Sequence, residues 1–461
     1  MANHIEGAAN IVLKSGVFLN PAQVFNRDLS ILVASVFAKG KESIKILEPL
    51  AASGIRSVRY YKELTTPISK LLANDISPQA VEEIKTNFQN NGVEAEVTQQ
   101  DACHLMHNSK IDPWDLIDID PYGSCANFLD ASIQAIKDQG LLCVTSTDMA
   151  TLCGNNPDTC FYKYSSVPTK SKFCHEFAIR IILNQLNATA NKYQKVVVPV
   201  LSLSVDFYIR VFVQVIESAS QAKNSILNSS LVFQCGSCPN FFIHDFGKPG
   251  KKRNTPGLFS GQGFCSHCGG NLFIQGPIYS GKLHNKELVN ECLQTIDQFQ
   301  FKTHNKLKGI LLAVKDELDC PLSWDLSQLC KFFKAPTISQ KQWRSAFKSL
   351  GLSLSQSHTK PQNYKTNATP HQVFEIIKSW KMHSAKDKYL TNVAEDSSAS
   401  KILSSGPSLE PNFELELTQE EKELLNSVRY PPNPQNWGPK SRPKRERPEP
   451  TQLSVQKKQK S

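Results

Sequence analysis

Between residues 44 and 145, short apolar runs alternate with amphipathic stretches, and this restricts the chain to few architectures. Ile44 to Leu50, Leu71 to Asp75, Glu94 to Gln99, Leu116 to Asp120 and Gly140 to Thr145 read as strands. Helices fill the intervals. One begins near Ile55, one follows Ser77 as its cap with Pro78 in the first turn, and one spans Ala126 to Lys137. Parallel strands need a crossover, and a helix supplies it, so the pattern predicts an α/β fold with a doubly wound, Rossmann-like parallel sheet. Val196 to Val215, broken near Pro199, adds two strands that extend the sheet.

Ligands in such sheets lie at the carboxyl ends of the strands. The small-residue loop Ala51-Ala52-Ser53-Gly54, Asp75, Asp101 and Asp120 all fall there. Asp75 comes about 20 residues after the loop, where an acid can bond ribose hydroxyls. Asp101 can accept from an adenine amino group. A dinucleotide needs a glycine-rich pyrophosphate turn, and this loop has a single glycine. A nucleoside cofactor without phosphate, S-adenosylmethionine, fits instead. The fourth strand runs into Asp120-Pro121-Tyr122-Gly123-Ser124. Asp120 can accept from an exocyclic amine, Tyr122 can stack on a ring, Pro121 stiffens the turn and Gly123 admits a close ligand. The motif resembles the D-P-P-Y loop of amino-methyltransferases, except that Tyr122 follows Pro121 directly.

Cys235-Gly236-Ser237-Cys238 and Cys265-Ser266-His267-Cys268 bracket a loop rich in Lys, Gly and Asn. Two such pairs complete a tetrahedral zinc site, and four thiolates leave no open position, so the zinc is read as structural. His244 and His267 read as bystanders. Among the 13 cysteines, those outside these pairs are scattered, several in apolar runs, which fits a reducing compartment. No apolar run reaches membrane-spanning length.

The net charge is +10. From Lys440 onward eight Lys/Arg stand against two Glu, a net +6. The cluster Arg442-Pro443-Lys444-Arg445-Glu446-Arg447 reads as a nuclear import signal or an RNA-grasping tail. The expected division is a cofactor domain over 1–225, a C-terminal domain over 226–384 with a zinc ribbon at 235–268, and a linker and disordered basic tail over 385–461. Within the second domain, 306–380 reads as winged-helix-like. Its helices are Leu307 to Glu317, Ser327 to Phe333 and Ser339 to Leu350, and Leu352 to His358 alternates like a strand. Lys341, Arg344 and Lys348 fall along the third helix.

Several stretches together resemble the tRNA guanine-26 N2-dimethyltransferases, a family of class I methyltransferases. These are Val17 to Ser30, Ala52-Ser53-Gly54-Ile55-Arg56, Asn74-Asp75, Asp118 to Ser124 and Gly276 to Gly281. Ser357-His358-Thr359-Lys360-Pro361, Lys365-Thr366-Asn367-Ala368 and Asn436-Trp437-Gly438-Pro439-Lys440 match as well. The resemblance implies S-adenosylmethionine held by Arg27, Arg56, Asp75, Asp101 and the backbone at Ala102. It implies Asp120 as the main catalytic residue, with Phe25 and Tyr122 flanking the guanine, and tRNA as partner. A monomer in the nucleus is expected, with a mitochondrial or cytoplasmic share open. The residues alone also leave room for another RNA amino-methyltransferase, acting on ribosomal RNA guanine or on adenine. A non-catalytic zinc-ribbon RNA-binding protein is the third reading.

Overall fold

The computed structural model describes residues 2–13, 20–250, 253–258, 261, 263–385 and 389–433. Val17 to Leu19 of the N-terminal motif, Asn436 to Lys440 and the basic tail lie outside the described residues.

A hairpin of β1 (Ala2–Glu6) and β2 (Ala9–Leu13) precedes α1 (Val24–Ala38). The expected alternation follows: β3 (Ile44–Glu48), α2 (Ile55–Glu63), β4 (Ile68–Asn74), α3 (Pro78–Asn91) and β5 (Glu96–Thr98). Then come α4 (Ala102–Asn108), β6 (Trp114–Ile119), α5 (Leu129–Ala135) and β7 (Ile136–Ser146). The antiparallel pair β8 (Lys195–Val205) and β9 (Tyr208–Glu217) closes the sheet. Its seven strands run in the order β5-β4-β3-β6-β7-β9-β8. The first five are parallel, and β9 is antiparallel to both neighbours. Strand order reverses between β3 and β6, and a crevice opens at that switch point. Strands covered on both faces read as continuous apolar runs. β6 obeys this, except for the half-buried Asp115 near its start and the buried Asp118 near its end.

Two boundaries differ from the sequence reading. The helix expected to reach Lys137 stops at Ala135, because Ile136 already pairs with Trp114 of β6. Lys137, Asp138 and Gln139 bulge outward, Gln139 at φ +59°, and pairing resumes at Gly140. The break between β8 and β9 is at Asp206-Phe207, not Pro199. Pro199 sits at a register shift on the edge strand β8, where a missing N–H is tolerated.

The C-terminal half begins with an antiparallel sheet of Phe241–Asp245, Ser229–Cys235 and Leu272–Tyr279. It packs on the helix Cys174–Asn191, where the buried Arg180 donates to the carbonyls of Tyr279 (2.8 Å) and Gly281 (3.0 Å). Then come helix His304–Asp316, strand Trp324–Asp325, helices Leu326–Phe333 and Gln340–Ser349, and strands Leu354–Gln356 and Asn363–Thr366, in the stretch expected to be winged-helix-like. Ser339 caps the third helix in a reciprocal box with Gln342. One hydrophobic cluster runs from Leu47 through Cys235 to Phe413, so both halves share a core.

The segment expected to be a loose linker is packed. Ala399, Ile402 and Leu403 on helix Ser398–Leu403 are buried, as are Phe413 and Leu417 beyond it. Its continuation lies along helix Gln340–Ser349, where Ser345 Oγ donates to the Leu415 carbonyl at 2.8 Å. Two of the three basic residues expected on that helix are therefore taken up, while Lys341 stays exposed. Arg344 is buried, and Lys348 is ion-paired with Glu421 at 2.7 Å.

Candidate functional site

The acceptor loop leaves β6 at the switch point. Gly123 turns it at φ +95°, a conformation that favours glycine. The chain after β7 clamps it. The Gly123 N–H donates to Thr147 Oγ1, and the Thr147 N–H donates to the Gly123 carbonyl, both at 2.9 Å. Ser124 Oγ lies 2.7 Å from the Tyr164 hydroxyl, which in turn donates to Asp148 at 3.0 Å.

Asp118 and Asp120, two apart on the strand, face the same side. Asp118 is fully buried between Arg210 (2.7 and 2.8 Å) and the Tyr60 hydroxyl (2.7 Å). Burial alone would push its carboxyl up, but the charges of Arg210 and Arg56 prevail and hold it below the ordinary value. Asp120 lies nearer solvent, 18% exposed, and pairs with Arg56 Nη2. Arg56 is buried, and its Nη1 also donates to Ser30 Oγ at 2.7 Å. The Arg56 guanidinium further meets Glu48 and Asp118, each at 3.5 Å. It thus fixes the orientation of the Asp120 carboxylate. Glu48 accepts from the Ser57 N–H at 3.0 Å, and burial, partly offset by Arg56, pushes its carboxyl up to about 7.

Phe25 and Tyr122 stand differently. Tyr122 is 70% exposed, whereas Phe25 has no exposed surface, with the Lys306 ammonium 5.3 Å from its ring centroid. Lys306 comes from the C-terminal half and pairs with Asp206 at 2.5 Å and Asn433 at 2.7 Å. A base that stacks on Phe25 must find this cover moved.

At the neighbouring strand ends, Ala51 to Gly54 turns with Ala52 at φ +49° and Gly54 at φ +74°. A side chain at Gly54 would meet Ile84 and Phe88 at 3.2 Å. Asp75 accepts from the Ala52 N–H with one oxygen and the Ser77 N–H with the other, both at 2.9 Å. Each carboxylate oxygen has two lone pairs, so capacity for ribose hydroxyls remains. Asp101 is exposed and caps α4 through one oxygen, on the His104 N–H at 2.9 Å. Ala102 opens that helix, where backbone N–H groups have no internal partner. These features fit an adenosine-bearing cofactor. Arg27 points elsewhere: its Nε and Nη2 grip Glu6 at 2.6 Å each.

Sequence reasoning missed Glu48, Arg210 and Lys306. Glu48 ends a strand as Asp75 does, so the same rule could have found it. Arg210 and Lys306 carry no local signal.

The four cysteines converge. Cys235 and Cys268 Sγ are 3.5 Å apart, Cys238 and Cys265 Sγ 3.7 Å, and all four sulfurs lie within 4.8 Å of one another in buried surroundings. Zinc–sulfur bonds of about 2.3 Å in a tetrahedron place sulfurs about 3.8 Å apart. The cluster is therefore shaped to hold zinc. The Ser237 N–H donates to Cys235 Sγ at 3.3 Å and Asn240 Nδ2 to Cys265 Sγ at 3.5 Å, as outer partners of thiolates do.

His284, Glu317 and His358 form a second buried group. The Ser202 N–H donates to His284 Nδ1 and the Ser204 N–H to His358 Nε2, both at 3.3 Å. These bonds assign the ring protons to His284 Nε2 and His358 Nδ1. His358 Nδ1 then donates to Glu317 at 2.7 Å, and Lys365 lies 2.9 Å from the same carboxylate. The lone pairs a metal would need are spent on the main chain, so this is a cage for a carboxylate.

Residues 2–378 match the family model of N2,N2-dimethylguanosine tRNA methyltransferase. The chain belongs to that family. It is 36% identical to the mouse tRNA (guanine(26)-N(2))-dimethyltransferase, over 96% of this chain and 77% of the relative. The Schizosaccharomyces pombe enzyme of the same name is 37% identical over 91% and 79%. The Saccharomyces cerevisiae one, named mitochondrial, is 33% identical over 95% and 91%. Among solved structures, Trm1 from Pyrococcus horikoshii with S-adenosyl-L-methionine matches with TM-score 0.71 and 26% identity, covering 82% of this chain and all of that one. No helix among the described residues is long and apolar enough to cross a membrane.

Proposed function

We propose that this chain methylates the exocyclic N2 of guanine 26 in tRNA, twice, with S-adenosylmethionine as donor. The observation that carries the reading is the Asp120 carboxylate, set by Arg56 at the end of β6 beside an exposed Tyr122, in a chain of this family. The guanine amine is conjugated with its ring and is a poor nucleophile. Asp120 accepts one of its N–H groups, concentrates lone-pair density on nitrogen and takes the proton. Arg56 holds the carboxylate on target, and such positioning supplies much of the acceleration. The base must leave its stack, and Phe25 and Tyr122 offset part of that cost, stacking being worth ~1–3 kcal/mol per base. Asp75 takes the ribose hydroxyls of the donor; Asp101 and the Ala102 backbone take its adenine, and Arg56 borders its amino-acid end, while Arg27, held on Glu6, supports the site from behind. S-adenosylmethionine, when bound, supplies an electrophilic methyl group and a neutral thioether leaving group.

In this reading residues 1–225 hold donor and guanine, 226–384 hold the rest of the tRNA, and zinc is structural. The protein works as a monomer. The basic segment after Arg442 supports residence in the nucleus. Asp120→Asn keeps shape and removes the acceptor charge. Methylation of unmodified tRNA should fall about 10²–10⁴-fold with S-adenosylmethionine affinity retained. Nucleoside analysis checks it, and near-normal methylation in the variant would remove Asp120 from the mechanism.

A further inference from the structure

The face that a winged helix commonly offers to nucleic acid is closed in this chain. The Glu421 carboxylate and the Glu416 main-chain carbonyl lie against Lys348 of the third helix, and Gln342 bonds Glu414. A polyanion is repelled there. On another side, Cys235 to Pro239 of the zinc knuckle and helix Leu326–Phe333 wall a groove of about 1070 Å³. Lys172, Lys331, Lys334 and Lys360 line it, against the single carboxylate of Asp325.

Asp325 is already engaged: it caps the helix on the Gln328 N–H at 2.7 Å and pairs with Lys360 at 3.6 Å. Lys172, Lys331 and Lys334 are exposed, and among the described residues none has a carboxylate within ion-pair distance. Glu395 and Asp396, in the opposite wall segment, are exposed and do not line the groove. Basic residues near a helix C-terminus can simply complement its dipole. That accounts for Lys331 and Lys334. It does not account for Lys172, which precedes helix Cys174–Asn191, or for Lys360, between the wing strands. Beside the groove Lys381 is buried on the Phe333 carbonyl at 2.7 Å, and burial, then the charge of Lys334, pulls its ammonium down. Positive charge here is in local excess.

The groove also lies within reach of the catalytic side. Lys172 follows Tyr164 by eight residues, and the Tyr164 hydroxyl contacts Ser124 of the acceptor loop. Eight residues span at most about 29 Å. An RNA with one base drawn to Tyr122 carries further phosphates across that distance.

We propose that this lysine groove grips the phosphate backbone of the RNA substrate, independently of sequence. The inference rests on the function proposed above and locates its second contact. The test uses the full zinc-loaded chain and the double variant K331E/K334E, with Lys172→Glu as an independent variant on another element and Lys341→Glu as control. Binding of two unrelated tRNAs is measured across a salt series. The double variant should bind both about tenfold more weakly near 0.1 M salt, with the slope of log K against log salt reduced by about 1.8. Lys172→Glu should weaken both tRNAs in the same sense. Zinc content and S-adenosylmethionine affinity should stay at wild-type levels, and Lys341→Glu should bind normally. Wild-type affinity and slope in both groove variants, or equal weakening by Lys341→Glu, overturns the groove. Failure of the functional reading looks different: the wild-type protein would then neither bind nor methylate tRNA.

Discussion

Glu6→Gln tests whether one buried charge fastens the N-terminal hairpin to the cofactor side of the sheet. Glu6 is fully buried, and it takes Arg27 of α1 twice at 2.6 Å and Arg59 of α2 at 2.9 Å. Burial alone pushes its carboxyl up. The bonds and charge of Arg27, with the charge of Arg59, outweigh that and bring it from 4.5 down to about 2. That fall corresponds to about 3 kcal/mol of folding stability. A carboxyl whose folded value is depressed contributes this stability above its unfolded value, so it is complete above about pH 4.5 and is lost as pH falls toward 2. Glutamine keeps the size and one acceptor but leaves Arg27 without a counter-charge; Arg59 keeps Asp28 at 2.7 Å and Glu63 at 2.8 Å. The variant should therefore lose about 3 kcal/mol near pH 7, and the gap to wild type should narrow below pH 4.5. Urea unfolding of both proteins at a series of pH values measures it. A gap that stays constant between pH 7 and pH 3, or one below about 0.5 kcal/mol at neutral pH, would refute the reasoning.

Three further outcomes are expected. Cys235→Ser or Cys268→Ser should lose bound metal and melt at lower temperature, since the set of four thiolates is broken; zinc-free wild-type protein on metal analysis would remove the zinc reading. Lys365→Met removes the ammonium 3.1 and 2.9 Å from the buried carboxylates of Glu176 and Glu317; Glu176 keeps Arg180, but Glu317 loses its lysine counter-charge, and the change should cost about 3–5 kcal/mol. Adding Glu317→Gln should recover part of that, and strictly additive losses would contradict a shared network. Removing residues 440–461 deletes a net +6 and should flatten the salt dependence of tRNA binding without altering S-adenosylmethionine affinity; unchanged binding would leave the tail as a solubiliser.

What could be read from the sequence was local. Each inner parallel strand announced itself by an apolar run ending near an acid, because both faces of such a strand are covered and its carboxyl end faces the ligand. The cysteine spacing and the Ser339 cap are likewise properties of a few adjacent residues. The interactions that shape the site are not. Asp118 is legible as an acid in a strand, but its partner Arg210 lies 92 residues away, and only sheet pairing brings it near. Arg56 matched a cofactor motif, yet folding places it on Asp120, so it sets the carboxylate proposed to accept the amine. The residues 137–139 suit a helix by propensity, and pairing of Ile136 with Trp114 overrides that. The acidic segment after Phe413 folds over part of the basic helix Gln340–Ser349, a contact that no periodicity encodes.

Dimethylation places a demand on the acceptor loop that the structure locates. After one transfer the nitrogen keeps one hydrogen, so Asp120 can act again, but the first methyl needs space beside the loop. Ser124 does not offer it: its hydroxyl is tied to Tyr164 at 2.7 Å and to the Ala126 N–H at 3.2 Å. Gly123 does, since a Cβ added there meets nothing within 4 Å. Gly123→Ala puts a methyl into that space and adds backbone strain of about 1–3 kcal/mol at φ +95°. Strain alone loosens the loop and slows both transfers alike. Occupied space slows the second transfer more, so monomethylguanosine should accumulate in the variant, while wild type converts it to N2,N2-dimethylguanosine. Ser124→Ala serves as the comparison, because it releases Tyr164 without filling space and should slow both steps by similar factors. Time courses on unmodified tRNA with excess donor give the ratio of the two rates. An unchanged ratio in Gly123→Ala would assign Gly123 to the turn alone, and wild-type monomethylguanosine that never converts would end the dimethylation claim.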